Sequence, residues 1–151
     1  MSQESPAPVP RLTVVTLGVS SIRASIAFYD ALGFSRRLKA TGEAVAFYDI
    51  GGPVLALYPW DQLAADATLP DAPRPSTFRG MTLAWNCRTR EEVNEVMAFA
   101  IGKGASLLKA AHETDYGGYS GYFTDPDGHP WEVVVAPGIE VGEDRRVHLA
   151  E

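Results

Sequence analysis

The chain has 151 residues, of which 46% are hydrophobic and 10% aromatic, with a formal net charge of -6 at pH 7 and a sequence pI near 5.0. This apolar content can bury a core and excludes a disordered polypeptide. The acidic balance, without any Lys/Arg run, excludes a nucleic-acid groove or an anionic membrane surface as the main partner. Apolar stretches are strand-sized, short of the roughly 20 residues that a membrane span requires. Met1 to Pro10 is polar and Pro-rich with no signal-peptide core, so a cytoplasmic location is expected. Cys87 is the single cysteine, which rules out an internal disulfide. Its neighbours Asn86 and Arg88 form no nucleophile motif, and its expected role is a small buried residue at a strand end.

Residues 1–11 read as a flexible tail. Leu12 to Val19 has the β-branched content of a strand, and Ser20 or Ser21 supplies an N-cap for a helix carrying Ile22, Ile26, Tyr29 and Leu32 at helical spacing. Gly33 ends it. Strands follow at Ser35 to Lys39, Ala44 to Asp49 and Pro53 to Tyr58, with turns at Thr41-Gly42 and Gly51-Gly52. Residues 12–59 are therefore a βαβββ module. Residues 60–79 contain Pro70, Pro73 and Pro75 and show no sustained period, which predicts a linker or a lid.

The same order recurs in residues 80–137. A strand from Met81 to Cys87 leads to a Thr89/Glu92 capping box and a helix carrying Val93, Met97 and Ala100, stopped by Gly102 and Gly104. Strands are predicted at Ser106 to Lys109, Tyr119 to Thr124 and Trp131 to Val135. The repeat is internal: Ser21 corresponds to Thr89, Gly33-Phe34 to Gly104-Ala105, and Gly52 to Gly128. Both modules are expected to share one structural domain. Residues 138–151 read as a polar tail that need not pack, with docking on a partner subunit left open.

Asp125-Pro126-Asp127-Gly128 predicts a tight turn: Pro126 presets φ, Asp127 tolerates the bridge region and Gly128 takes positive φ. The strand after it carries Trp131, Val133 and Val135 on one face and Glu132, Val134 and Ala136 on the other. Glu132 is the lone carboxylate in an apolar strand, and three readings stand: a solvent-facing residue, a metal ligand, or a pocket carboxylate. Tyr116-Gly-Gly-Tyr-Ser-Gly121 lacks a following helix and a Lys-Ser/Thr pair, so it is no phosphate loop; its glycines suit strand curvature or a close approach. His112, near Glu113 and Asp115, is expected in a solvated loop, and His129 and His148 at the surface.

The paired motifs Leu17-Gly-Val with Ser25-Ile-Ala-Phe-Tyr-Asp-Ala-Leu-Gly-Phe34, and Asp125-Pro-Asp-Gly-His-Pro-Trp-Glu132, resemble the vicinal oxygen chelate superfamily over Leu12 to Pro137. This is the group of glyoxalases, bleomycin-resistance proteins and extradiol dioxygenases. The resemblance implies an α+β fold of tandem βαβββ modules whose curved mixed sheets form an open barrel, and with both modules in one chain that barrel can close without a partner. It also implies four metal-ligand positions, which fall here on Val14, Ala56, Thr82 and Glu132. Of these only Glu132 is a normal ligand, and a one-residue slip substitutes Met81 for Thr82 without improving the set. No cofactor is expected, with a divalent metal as the alternative.

By strand alternation Val15, Leu17, Val19, Leu83, Trp85 and Cys87 cover the helices, while Val14, Thr16, Gly18, Thr82, Ala84 and Asn86 line the cavity. The resemblance sets Phe47, Tyr58, Trp60, Phe78, Tyr116, Tyr119 and Tyr122 around that cavity, with about half expected to fill core instead. The expected ligand-binding set is Thr16, Phe47, Tyr58, Trp60, Thr82, Asn86, Tyr122 and Glu132. Three function classes follow. The first is a bleomycin-resistance-like protein that binds an apolar or aromatic small molecule at a degenerate metal site. The second is an isomerase, lyase or dioxygenase-like enzyme, metal-dependent or using Glu132 as acid or base. The third is a protein-interaction module with a vestigial pocket. A homodimer is compatible with all three.

Overall fold

Strand β1 (Val14–Val19) runs into helix α1 (Ile22–Ala31), and the Ser21 hydroxyl accepts from the Ala24 amide at 3.1 Å to cap it. Gly33 then takes φ +91, the left-handed conformation that terminates a helix at little cost to glycine. Strands β2 (Ser35–Arg37), β3 (Ala46–Asp49) and β4 (Val54–Pro59) complete a sheet of order β1-β4-β3-β2, parallel between β1 and β4 and antiparallel elsewhere. This computed structural model describes residues 6–70 and 74–151. Pro73 of the linker reading lies outside them.

Helix α2 (Trp60–Asp66) precedes strand β5 (Leu83–Asn86), helix α3 (Arg90–Gly102), and strands β6 (Ser106–Glu113), β7 (Tyr119–Thr124) and β8 (Pro130–Val135). The second sheet has order β5-β8-β7-β6 and repeats the first strand for strand. Thr89 accepts from the Glu92 amide at 3.1 Å, and the Glu92 carboxylate reaches back to the Arg88 amide at 3.2 Å, so the capping box closes one residue earlier than its usual form.

The structure corrects three expectations. Residues 60–66, read as part of a linker, form α2: at seven residues it is too short for helical periodicity to register in sequence. The C-terminal segment, read as a tail that need not pack, pairs β9 (Ile139–Val141) with β10 (Val147–Leu149), and Arg88 donates to the carbonyls of Val141 and Gly142 at 3.2 and 2.7 Å. Strand β6 runs on to Glu113, so His112 lies in a strand rather than a loop. Ser106 to Ala110 are all exposed, and the pairing with β7 shifts register twice, which removes the alternation that would carry the predicted strand beyond Lys109. Gly121 makes that bulged pairing fit: a Cβ there would stand 3.0 Å from the Ala111 nitrogen and 3.1 Å from the Lys109 carbonyl oxygen.

Leu17, Val19, Tyr48, Leu55 and Leu57 bury the face of the first sheet that carries Phe28 and Tyr29 of α1 and Leu32 at its C-cap; Cys87, Phe123, Trp131 and Val133 do the same in the second under Val93, Met97 and Ala100 of α3. The two halves share one core because Tyr29 and Phe34 reach Trp131, with ring centroids 6.1 and 5.8 Å apart. The opposite faces carry the cross-strand rows Thr16, Ala56, Phe47, Arg37 and Ala84, Glu132, Tyr122, Lys109. Among the described residues no strand pair joins the two sheets. The curved sheets therefore stay open, and the barrel closure within one chain that the duplicated modules suggested does not occur.

Candidate functional site

The turn before β8 organises the junction between the modules. Its Gly128 has φ +81 and donates to the Asp125 carbonyl at 3.0 Å. The Asp125 carboxylate is buried and accepts from the amides of Asp127 at 3.0 Å and His129 at 2.8 Å, and from the Tyr29 hydroxyl of α1 at 2.8 Å. Trp131 Nε1 donates to that same hydroxyl at 3.1 Å. Burial pushes the Asp125 carboxyl above its ordinary value against the opposing pull of His129 and of these donors.

His129 is held in place by this turn. It is buried, and its Nε2 donates to the Gly18 carbonyl at 2.8 Å while its Nδ1 faces Arg79 Nη1 at 2.9 Å. A guanidinium only donates, so Nδ1 is the acceptor and the ring proton sits on Nε2. Arg79 Nη2 donates to the Asp127 carbonyl at 2.5 Å. The Trp60 indole stacks on the His129 ring at 6.3 Å and 21°, and the guanidinium carbons of Arg74 and Arg79 lie 5.0 and 5.2 Å from its ring centroid. The expectation of a surface histidine at position 129 is therefore wrong.

Beneath Trp60 lies a cavity of about 350 Å³ between β1, α2 and the start of the second sheet. Thr16, Leu17 and Gly18 border it on one side, Leu63, Ala64, Ala67, Leu69 and Pro70 cover it, and Arg79, Met81, Leu83, His129 and Pro130 close it. Gly18 allows the indole to lie flat on β1, because a Cβ there would stand 3.0 Å from Trp60 Cε3 and 3.3 Å from its Cα. Gly18→Ala is expected to lift Trp60 off the strand, red-shift its emission and cost about 1–2 kcal/mol in a denaturant titration. An unshifted spectrum would mean that the indole does not rest on this glycine.

Of the residues singled out in the sequence, Thr16 and Trp60 line this cavity, and Thr82 is exposed between Met81 and Leu83 on its rim. Phe47 and Tyr58 share the Thr16 face of the first sheet without lining the cavity. Glu132, Tyr122 and Asn86 lie on the second sheet, away from it. Asn86 borders a broader groove with Ala84, Val141 and Arg145, whereas Glu132 and Tyr122 are cross-strand partners. Burial, then the neighbouring Glu132, pushes the Tyr122 phenol up. Phe78 and Tyr116 are exposed, and the Tyr119 hydroxyl donates to Asn94 Oδ1 at 2.8 Å on α3; none of the three lines this cavity.

A sequence model of the Glyoxalase/Bleomycin resistance protein/Dioxygenase superfamily matches residues 11–133. The chain belongs to that superfamily. It is 33% identical to a glyoxalase-related enzyme from Fulvimarina pelagi, whose crystal structure superposes with a TM-score of 0.83 over 95% of this chain and 100% of that one. It is 27% identical over 124 residues, 82% of this chain and 81% of the other, to the Metallothiol transferase FosB of Lysinibacillus sphaericus (strain C3-41). A lactoylglutathione lyase from Agrobacterium tumefaciens shares the fold at 23% identity and a TM-score of 0.63, over 85% of this chain and 96% of that one. No helix among the described residues is long and apolar enough to cross a membrane.

The superfamily's four ligand positions can now be tested on donor chemistry. Val14 and Ala56 offer no donor, Thr82 offers a neutral hydroxyl, and Glu132 alone offers a carboxylate. Such a set does not fit a divalent ion, which needs several imidazole or carboxylate ligands. Among the described residues no three His, Cys, Asp or Glu side chains stand close enough to hold an ion elsewhere. Glu113, beside His112, is engaged by Arg90 at 2.6 Å.

Proposed function

We propose that this superfamily member binds a small apolar or aromatic molecule in the cavity beneath Trp60, and that this binding proceeds without a metal ion. The observation that carries the reading is the cavity itself, about 350 Å³ with walls of Trp60, Leu63, Ala64, Leu69, Met81 and Leu83. That size falls at the small end of ligand pockets, and an apolar wall with few polar groups is the usual lining. The poor donor set at Val14, Ala56, Thr82 and Glu132 supports it. The neutral probe 1-naphthalenemethanol is expected to quench tryptophan emission saturably at one equivalent, and Ala64→Trp, which fills the cavity, is expected to abolish this. Protein exposed to manganese, iron, nickel and zinc and then desalted is expected to carry far less than one equivalent of metal. Near-stoichiometric metal that vanishes in Glu132→Ala would overturn the metal-free reading.

A second reading is an enzyme acting through Glu132. It is favoured by the Glu132–Tyr122 pair on the uncovered face of the second sheet, and by relatives that include a transferase and a lyase. Glu132 would serve there as general acid or base, with a second copy of the chain covering that face. Under this reading Glu132→Gln loses turnover while retaining naphthalenemethanol binding.

A further inference from the structure

The cavity is apolar along its walls but not at its mouth, where half-buried Arg79 borders it beside the Trp60 ring. The polar acceptors that Arg79 contacts, the His129 ring nitrogen at 2.9 Å and the Asp127 carbonyl at 2.5 Å, are uncharged. Among the described residues no carboxylate forms an ion pair with it. The neighbouring Arg74 differs: its Nη1 stands 3.7 Å from Asp127 Oδ1 and also contacts the Ser20 hydroxyl. That same carboxylate oxygen already accepts from the Ser20 amide at 2.8 Å and the Ser20 hydroxyl at 2.6 Å. His129 accepts a hydrogen bond at Nδ1 from Arg79, so that nitrogen carries no proton of its own. Among the described residues, the guanidinium groups of Arg74 and Arg79 and the Asp127 carboxylate leave one positive charge at the mouth without an ion-pair partner, in a chain whose formal net charge is -6.

A cation bordering an apolar space is costly unless an anion completes it. A guanidinium has five N–H donors, and two hydrogen bonds leave donors to spare. We propose that the cavity takes a small apolar monoanion, a carboxylate whose oxygens accept from Arg79 and whose flat or aliphatic body lies beneath Trp60 against Leu63 and Met81. This rests on the reading of the cavity as a small-molecule site and names its ligand class. One net positive charge matches a carboxylate and leaves a dianionic phosphate overcharged; the planar fork of an arginine suits the carboxylate geometry. A cationic ligand meets repulsion from both arginines.

Two isosteric probes separate this proposal from the reading beneath it. Tryptophan quenching by 1-naphthoate is expected to show a dissociation constant at least about tenfold below that of 1-naphthalenemethanol, as for a hydrogen bond to a charged group. The cation 1-naphthylmethylamine is expected to bind weakest of the three. Arg79→Gln should bring the naphthoate-to-alcohol ratio close to one, and Arg79→Lys should keep most of the preference. Equal affinities in the wild-type protein, or a preference that survives Arg79→Gln, would overturn the assignment of an anion to Arg79 while leaving the cavity as a binding site. No saturable binding of any probe would overturn both. Should Arg79→Gln fail to fold, the order of the three probes on the wild-type protein decides alone.

Discussion

Asp125→Ala is expected to be among the most damaging single substitutions in this chain, lowering its stability by about 3–5 kcal/mol. The carboxylate is 3% exposed and takes hydrogen bonds from the Tyr29 hydroxyl and from the amides of Asp127 and His129 at 2.8–3.0 Å. Truncation strands all three donors, and the buried Tyr29 hydroxyl has no route to water. It also cuts the tie between α1 of the first module and the turn that holds His129 in the second. For a chain of this size each kcal/mol lowers the melting temperature by about 2–4 °C, so a fall of about 10–15 °C is expected. Asp125→Asn keeps an oxygen for the two amides but turns a donor toward Tyr29, and should fall between the wild type and Asp125→Ala. Tyr29→Phe, which removes one donor and the acceptor of Trp131 Nε1, should cost about 1–2 kcal/mol. Thermal melts of the three variants check this order. Equal losses for Asp125→Asn and Asp125→Ala would mean that the amide bonds contribute nothing.

The fold was legible because each module announces itself locally. Ser21 and Thr89 cap, Gly33 and Gly104 stop, and alternation in β1 and β8 marks which face is buried; all of these act within a few residues along the chain. The missed stretches lack such a signal: α2 spans two turns, the continuation of β6 past Lys109 follows a bulge, and the β9–β10 hairpin has strands of three residues. The site was less legible. Thr16 and Trp60 reach the cavity, but Glu132, Tyr122 and Asn86 belong to another sheet face, because the helix-covered faces of the two sheets share the core. His129 did have a signal: it shares strand parity with Trp131 and Val133, both core residues, and so is directed inward. Arg79 had none, since its meaning comes from His129, fifty residues away in sequence.

Alkaline pH is expected to unfold the protein steeply, for a reason fixed in the core. Burial pushes the Tyr29 phenol well above its ordinary 10.0, with Asp125 adding to the rise. Burial, then Asp30 through a 2.8 Å hydrogen bond, does the same to Tyr48. The Cys87 thiol is pushed from 9.0 up to about 12, by burial first and then by Glu92. The unfolded chain releases these three protons near pH 9–10, whereas the folded chain keeps them. With fewer protons on the unfolded state, stability falls as pH rises. The contribution is fully present below about pH 9, where both states are protonated, and declines through the window between the ordinary and the raised values. Each proton is worth about 1.4 kcal/mol per pH unit, so the slope approaches roughly 4 kcal/mol per unit above pH 10. Held between pH 10 and 12, such a slope removes roughly 8 kcal/mol, comparable with the typical 5–15 kcal/mol stability of a domain. Urea midpoints at successive pH values measure the slope, and Tyr48→Phe should reduce it by about a third. Phenolate absorbance from Tyr29 and Tyr48 should emerge only with unfolding, and native Cys87 should resist a thiol reagent at pH 8 that labels it at once in denaturant. A flat stability profile to pH 11 would show that these groups are not held protonated by the fold.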